Sequence, residues 1–218
     1  MEESVGPIEV ETAIESDRVV VHVDPSCPFA WITYRWLAEV ERVSPIRLTV
    51  RLLSLSVVNE HRQLDDWYRT FNEHAWAPAR VMAAVVDHHD SEQVRHFYQT
   101  FGDRFHVRFG TSDDVDRRAV AIDALADAGL PGALADAADD PNWDARLRTM
   151  TSTTIERLGL DVGVPVIEIG DTIASGPVLT CIPTGLDAVD LYRAVRVLTA
   201  QPGFVRLERP RVGELHTE

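Results

Sequence analysis

Strand patterns occupy only the two ends of this chain, which limits the folds open to it. Residues 18–24 (Arg-Val-Val-Val-His-Val-Asp) form a β-branched run typical of a buried strand. Residues 46–53 alternate apolar and polar side chains, as a half-buried strand does. Residues 164–169 and 172–175 flank Gly170-Asp171, a pattern that predicts a hairpin with a tight turn.

Between these ends the apolar residues recur only at helical spacing. We predict six helices there, over residues 64–73, 78–89, 92–105, 113–128, 131–138 and 141–158. A helix over residues 29–43 joins the first two strands, and a helix over residues 186–198 follows the hairpin. The order is therefore β-α-β, a helical block, then β-β-α, which is the order of a thioredoxin fold with helices inserted in its middle.

This order predicts an α/β protein with a thioredoxin fold and a large all-helical insertion. Its predicted parts are an acidic leader over residues 1–17, a thioredoxin-like domain over 18–59 and 161–210, a helical insertion over 60–160, and a tail over 211–218.

Charge limits the partners that such a chain can bind. It has 35 acidic against 21 basic residues, a formal net charge of -14, whereas nucleic acids and anionic membranes are bound by basic faces. The basic residues are all arginine, so Schiff-base lysine chemistry is excluded. No His, Cys and Asp residues have the spacing of a metal site. With two distant cysteines and no signal-peptide pattern, we expect a reduced, cytoplasmic protein without a metal.

Cys27 lies where the first strand meets the first helix, in the sequence Asp24-Pro25-Ser26-Cys27-Pro28. Proline is favoured in a first helical turn, so the helix is predicted to begin at the cysteine. Unpaired N–H groups at a helix N-terminus stabilise a thiolate, and we expect the pKa of Cys27 to be lowered. The alternative is that Cys27 is a small buried apolar residue, but the strand–turn–helix context favours a reactive thiol.

Gly163-Val164-Pro165 opens the late strand. A proline can stand first in a strand for positional reasons alone. In a thioredoxin arrangement, however, the residue before a cis-proline presents its backbone beside the reactive sulfur. We therefore expect a cis Val164–Pro165 bond near Cys27.

Several segments together resemble the DsbA-like mycothiol-dependent nitroreductases, and more widely the kappa-class glutathione transferases and the 2-hydroxychromene-2-carboxylate isomerases. The specific segments are residues 24–36, 53–60, 163–167 and 176–183, and the resemblance runs from about Val19 to Leu207. It implies a helical insertion that forms a lid over a small-molecule pocket. It also implies thiol-dependent reduction, with mycothiol or another low-molecular-weight thiol as co-substrate.

The resemblance also implies site residues. Cys27 and His106 are the expected catalytic pair, with His106 as a pocket group or proton donor. The expected binding residues are Pro28, Phe29, Trp31, Asn59, Tyr68, Val164 and Pro165. The expected partners are a small-molecule substrate and a thiol, and a homodimer is allowed.

One departure from the family pattern changes the expected mechanism. The family's Cys-Pro-Trp-Cys site reads Cys27-Pro28-Phe29-Ala30 here, so the turn holds no second thiol. A mixed disulfide on Cys27 must then be released by a second small-molecule thiol, which is a monothiol mechanism. We expect an oxidoreductase acting on a small electrophilic or aromatic molecule. A thiol-dependent isomerase or transferase without net redox change and a non-catalytic binding scaffold stay open as alternatives.

Four residues have plausible structural alternatives to a site role. Cys181 is either a resolving thiol or a small apolar residue. His106 is either a pocket group or a residue at a helix end. Tyr68 is a donor to substrate or a core aromatic residue, and Asn59 is a pocket residue or a turn residue.

Overall fold

One mixed sheet of four strands, in the order β2-β1-β3-β4, forms the centre of the molecule. Its strands are β1 (Arg18–Val23), β2 (Arg47–Leu52), β3 (Val166–Ile169) and β4 (Thr172–Ser175). β1 pairs parallel with β2 and antiparallel with β3, and β3 and β4 form an antiparallel hairpin. The structure is a computed structural model that describes residues 17–108, 115–159, 163–211 and 213–218.

Helices make up most of the rest of the described chain. They are α1 (Pro28–Val43), α2 (Leu55–Val58), α3 (Asp66–His88), α4 (Ser91–Gly102), α5 (Arg117–Asp127), α6 (Trp143–Leu158) and α7 (Gly185–Thr199). A π-helical turn (Asp103–Arg108) follows α4, and a 3-10 helix (Gly132–Asp139) precedes α6. Within the insertion α3 is central and contacts α4, α5 and α6. None of the described helices combines the length and apolar character needed to cross a membrane.

α3 corrects the sequence-based prediction of two helices over residues 64–73 and 78–89. A single helix runs from Asp66 to His88 with Pro78 inside it. Proline removes one intrahelical hydrogen bond, which is why a break was predicted. Pro78 is buried between Ala75 and Ala79, so packing of this face stabilises the continuous helix.

Two other helix boundaries differ from the predictions. The predicted helix over residues 92–105 ends as an α-helix at Gly102 and continues as the π-helical turn. The predicted helix over 113–128 begins at Arg117, where Asp116 accepts hydrogen bonds from the N–H groups of Arg118 and Ala119. The first two residues of that predicted helix, and nearly all of the acidic leader, lie outside the described residues.

α1 connects the sheet to the rest of the fold. Trp31, Trp36 and Leu37 on this helix have no solvent exposure. Trp36 Nε1 donates a hydrogen bond to the Ala188 carbonyl at 2.9 Å, which ties α1 to α7. Gly102 meets Trp31 so closely that an added Cβ would lie 2.2 Å from the indole ring. The helix that begins at Cys27 is therefore fixed from both sides.

Candidate active site

The turn that carries Cys27 is held by Asp24. Its carboxylate accepts hydrogen bonds from the backbone N–H of Ser26 and of Leu55, both at 2.8 Å. The Cys27 N–H donates to the Asp24 carbonyl at 3.0 Å. These bonds place Cys27 at the N-cap of α1, with Pro28 in the first turn as predicted.

Cys27 is buried, with 5% exposure, and burial raises the pKa of its thiol to about 12. The backbone N–H groups of Ala30 and Phe29 lower the pKa, and the negative charge of Asp24 raises it. The expectation of a lowered pKa is wrong for this conformation. Exclusion of water from the sulfur outweighs the N–H groups of the helix start. The thiol is therefore protonated at neutral pH.

Asp24 is itself a perturbed group. Burial raises its pKa to about 6, although the two backbone hydrogen bonds and the charge of Arg117 lower it. At neutral pH the carboxylate is ionised, and its charge opposes ionisation of Cys27.

His106 lies in the π-helical turn after α4 and is buried with 2% exposure. Its Nε2 lies 2.9 Å from the Pro25 carbonyl oxygen. Because a carbonyl only accepts, Nε2 carries the proton and Nδ1 is free of one. The ring stacks on Trp31 at 5.7 Å, and burial lowers the pKa of His106 to about 4. Neutral His106 thus supports the turn that carries Cys27.

Val164 and Pro165 lie next to the same turn. The bond between them is cis. His22 pairs with Val166 across β1 and β3, so the preceding Pro165 reaches the end of β1, where the turn begins. A Cβ on Gly163 would lie 2.7 Å from Leu55, the residue that donates to Asp24.

Asn59 and Tyr68 form a separate polar cluster with Asn72. Asn59 Nδ2 lies 3.2 Å from the Tyr68 hydroxyl and 3.0 Å from Asn72 Oδ1. Asn72 Nδ2 donates to the Tyr68 carbonyl at 2.7 Å. Asn59 is 5% exposed and Tyr68 is half-buried. The structure thus joins the two predicted residues Asn59 and Tyr68 by hydrogen bonds, directly and through Asn72, at the start of α3.

Arg117 connects this cluster to the Cys27 turn and was missed by the sequence analysis. Its buried guanidinium lies 5.1 Å from the ring centroid of Phe71 and 5.3 Å from that of Phe105. Phe71 stacks on Tyr68, and Phe105 contacts His106 edge-on. Arg117 stands in the first turn of α5, where a cation is unfavourable because it opposes the helix dipole. This unfavourable position is the sequence signal that could have identified Arg117 as a functional residue.

The C-terminal segment also contacts the site, although no pattern in the sequence predicts this contact. Trp31 Nε1 donates to the Thr217 carbonyl at 3.1 Å, and Thr217 Oγ1 donates to the His106 carbonyl at 2.9 Å. The His216 N–H donates to the Thr180 carbonyl at 2.9 Å. Thr217 therefore bridges the Trp31 indole and the His106 backbone.

Three further candidate features are the second thiol, a metal cluster and a surface groove. Cys181 is exposed and Cys27 is buried, and neither is in a disulfide. Among the described residues no three His, Cys, Asp or Glu side chains are grouped as metal ligands. A groove of about 460 Å³ is lined by Val43, Pro45 and Leu186. It lies at the C-terminal end of α1, the end opposite Cys27.

A family model described as "Rv2466c-like: Mycothiol-dependent nitroreductase Rv2466c" matches residues 26–209, which include Cys27, the insertion and the hairpin. The chain belongs to this family. The resemblance read from the sequence is thereby confirmed. The uncharacterized protein Rv2286c of Mycobacterium tuberculosis (strain ATCC 25618 / H37Rv) is 29% identical over 196 residues, which cover 87% of this chain and 80% of that protein.

Solved structures confirm the fold of this Rv2466c-like chain. A 2-hydroxychromene-2-carboxylate isomerase aligns with a TM-score of 0.53 and 14% identity, covering 83% of this chain and 93% of its own. Reduced DsbA of Mycobacterium tuberculosis aligns with a TM-score of 0.52 and 14% identity, and the alignment covers 90% of this chain and 89% of DsbA. The reduced disulfide bond oxidoreductase DsbG of Mycobacterium tuberculosis aligns with a TM-score of 0.51 and 12% identity, and the alignment covers 86% of this chain and 81% of DsbG. The chain has a DsbA-like thioredoxin fold with a helical insertion.

Proposed function

We propose that this protein is a cytoplasmic, mycothiol-dependent monothiol oxidoreductase that reduces a small electrophilic or aromatic molecule through Cys27. The observation that carries the proposal is the family match over residues 26–209, combined with the position of Cys27 at the N-cap of α1. The family is one of thiol-dependent oxidoreductases and isomerases. Mycothiol and the nitroreductase-like reaction come from the family's description.

The proposed cycle needs one protein thiol and two mycothiols. In the first half, Cys27 and one mycothiol lose two electrons and two protons to the substrate and form a mixed disulfide. In the second half, the thiolate of another mycothiol attacks the mycothiol sulfur of that disulfide, and Cys27 leaves as a thiolate that takes up a proton. Ala30 supports this route, because the turn holds no second thiol to displace the mycothiol.

The proposed roles of the site residues follow their positions. His106 holds the Pro25 carbonyl through Nε2 and offers Nδ1 as a proton acceptor. Val164 presents its backbone beside the bound sulfur. The remaining binding residues proposed to line the pocket are Pro28, Phe29, Trp31, Asn59, Tyr68 and Pro165. Since Cys27 is buried, turnover requires an opening movement that admits mycothiol to the sulfur.

A second candidate is a thiol-dependent isomerase or transferase without net redox change. Ala30 favours it, because addition of a thiol to the substrate and its later elimination need no second cysteine. A non-catalytic binding scaffold is the third candidate, and the burial of Cys27 favours that one. The three differ in what happens to mycothiol.

The test follows mycothiol and its disulfide during incubation with an electrophilic aromatic substrate such as a nitroarene. We expect two mycothiols to be oxidised for each two-electron reduction, and Cys27→Ala to abolish this. Cys181→Ser is the matched control and is expected to keep full activity, because that thiol is exposed and lies outside the Cys27 turn in the chain. Product formation without mycothiol oxidation favours the isomerase. Undiminished reduction by Cys27→Ala contradicts both enzymatic candidates.

A further inference from the structure

Residues 213–218, the C-terminal segment, are hydrogen-bonded to two elements that contact the Cys27 turn. The Thr217 carbonyl accepts a hydrogen bond from the Trp31 indole N–H on α1 at 3.1 Å. The hydroxyl of the same threonine donates to the His106 carbonyl, in the π-helical turn of the insertion, at 2.9 Å. Thr217 therefore connects α1 to the helical insertion.

Both partners of Thr217 are bonded directly to the chain around the thiol. The Trp31 backbone N–H donates to the Cys27 carbonyl at 3.1 Å. His106 Nε2 lies 2.9 Å from the carbonyl oxygen of Pro25, two residues before the thiol. The two rings also stack on each other, with 5.7 Å between their centroids. Loss of the Thr217 contacts therefore loosens two groups that support the Cys27 turn.

The C-terminal segment is much less buried than the groups it contacts. Trp31 has no solvent exposure and His106 is 2% exposed. Within the segment only Leu215 and Thr217 are half-buried, and residues 200–211, which follow α7, are all exposed. A segment with few buried apolar contacts detaches at a lower free energy than the core unfolds. The segment can therefore detach from Trp31 and His106 while the rest of the fold stays intact.

We propose that the C-terminal segment is a latch whose release gives thiols and other reagents access to Cys27. While Thr217 holds the π-helical turn to α1, the sulfur stays buried. When the segment detaches, the π-helical turn is free to move away from α1, and the sulfur becomes accessible. The latch supplies the opening movement that turnover needs, and its role in turnover rests on the proposed function.

Two indole N–H groups on α1 distinguish release of the latch from unfolding. The Trp31 indole N–H donates to the Thr217 carbonyl, and the Trp36 indole N–H donates to the Ala188 carbonyl at 2.9 Å. Both tryptophans have no solvent exposure. Detachment of the segment frees only the Trp31 N–H, whereas unfolding frees both. Hydrogen–deuterium exchange of the two indoles, followed by NMR, therefore reports the latch with an internal control.

The test compares Thr217→Val with its parent in a Cys181→Ser background, where Cys27 is the single thiol. Valine keeps the branched shape and the backbone carbonyl but removes the hydroxyl that donates to His106. Because one hydrogen bond less holds the segment, we expect exchange of the Trp31 indole and alkylation of Cys27 by iodoacetamide both to accelerate about fivefold. Both rates are measured at one fixed pH.

The controls separate the latch from a general loss of stability. Exchange of the Trp36 indole is expected to stay unchanged in Thr217→Val. Thr217→Ser keeps the hydroxyl, so we expect it to stay close to the parent in both Trp31 exchange and Cys27 alkylation.

Three results overturn the proposal: unchanged exchange at Trp31 in Thr217→Val, faster exchange there without faster alkylation of Cys27, and equal acceleration at Trp31 and Trp36. A Cys27 thiol that iodoacetamide does not modify in either protein also overturns it. These measurements use neither mycothiol nor substrate. Coupled acceleration at Trp31 and Cys27 in a protein that oxidises no mycothiol therefore supports the latch and contradicts the proposed function.

Discussion

His22 on β1 and Cys27 just after β1 are both buried, but their surroundings differ in how completely the polar groups are hydrogen-bonded. Around His22, every hydrogen-bonding atom of the ring has a partner. Nε2 lies 2.7 Å from Glu168 Oε1 and Nδ1 lies 3.1 Å from Thr154 Oγ1. Arg157 and Arg51 reach the same Glu168 oxygen at 2.9 and 3.4 Å. This cluster, the Glu168 network, joins β1, β2, β3 and α6.

The Cys27 turn lies only a few residues further along the chain, and its polar groups are incompletely paired. The hydroxyls of Ser26 and Tyr98 have no partner, and burial raises the pKa of the thiol. In the Glu168 network burial also raises the pKa of the carboxyl, yet the hydrogen bonds and charges of Arg157 and His22 bring it below its usual value. The comparison separates a network of paired charges that stabilises the fold from a site whose buried polar groups are incompletely paired.

The largest expected effect breaks the Glu168 network. Glu168→Ala leaves the buried His22 N–H without its acceptor and removes the carboxylate shared by Arg157 and Arg51, and we expect the free energy of unfolding to fall by about 3 kcal/mol. Urea denaturation measures this loss. Asp190→Ala is the control, because it breaks an exposed pair with Arg193 and is expected to change stability by less than about 0.5 kcal/mol. Equal losses in the two variants contradict the assigned role of the network.

A smaller effect appears in the pH dependence of the Cys27 turn. The folded pKa of Asp24, about 6, lies above the ordinary 3.8, so its protonation stabilises the fold as pH falls from 6 toward 4. The pKa of His106, about 4, lies below the ordinary 6.5, so it destabilises the fold over the same fall. The two opposed dependences partly cancel in the native protein.

Asp24→Asn removes the stabilising protonation of Asp24 and leaves the destabilising protonation of His106. We expect the free energy of unfolding to fall more steeply between pH 6 and pH 4 than in the native protein, by about 2 kcal/mol over the window. The slope is compared rather than the absolute stability, because the asparagine amide cannot accept both backbone hydrogen bonds. Urea titrations at closely spaced pH values measure it, and parallel curves for the two proteins contradict the assignment.

The smallest effect distinguishes a paired hydroxyl from an unpaired one. Tyr192 Oη donates to Asp17 Oδ2 at 3.0 Å, and Tyr192→Phe is expected to lower the free energy of unfolding by about 1 kcal/mol. Tyr98→Phe removes a hydroxyl with no partner and is expected to cost nothing. Thermal unfolding compares the two variants. An equal loss in Tyr98→Phe would mean that its hydroxyl is bound in the resting state.

The regular elements near Cys27 were predictable because their signals are local. β-branched residues predicted β1, and Pro28 predicted the start of α1. The helical insertion was predictable in order but not in its boundaries. Pro78 favours a break in the helix, yet its buried neighbours continue α3. Nothing at Gly102 predicts the π-helical turn that places His106.

Three residues around the candidate site could not be predicted from the sequence for a different reason. Arg117, Tyr98 and Thr217 contact residues next to the Cys27 turn from α5, α4 and the C-terminal segment, and no spacing in the chain relates them to Cys27. Their roles depend on contacts between residues far apart in sequence. The family resemblance pointed to Asn59 and Tyr68, and the structure joins these two by a hydrogen bond.

The sequence by itself determined the covalent possibilities: a cysteine at the start of a helix, and alanine where a second thiol would stand. These follow from residue identity and local backbone preference, which need no distant partner. Only the tertiary structure decided the state of that cysteine. Its pKa depends on the exclusion of water, on the N–H groups of Ala30 and Phe29 and on the charge of Asp24, and this burial exists only once the chain has folded.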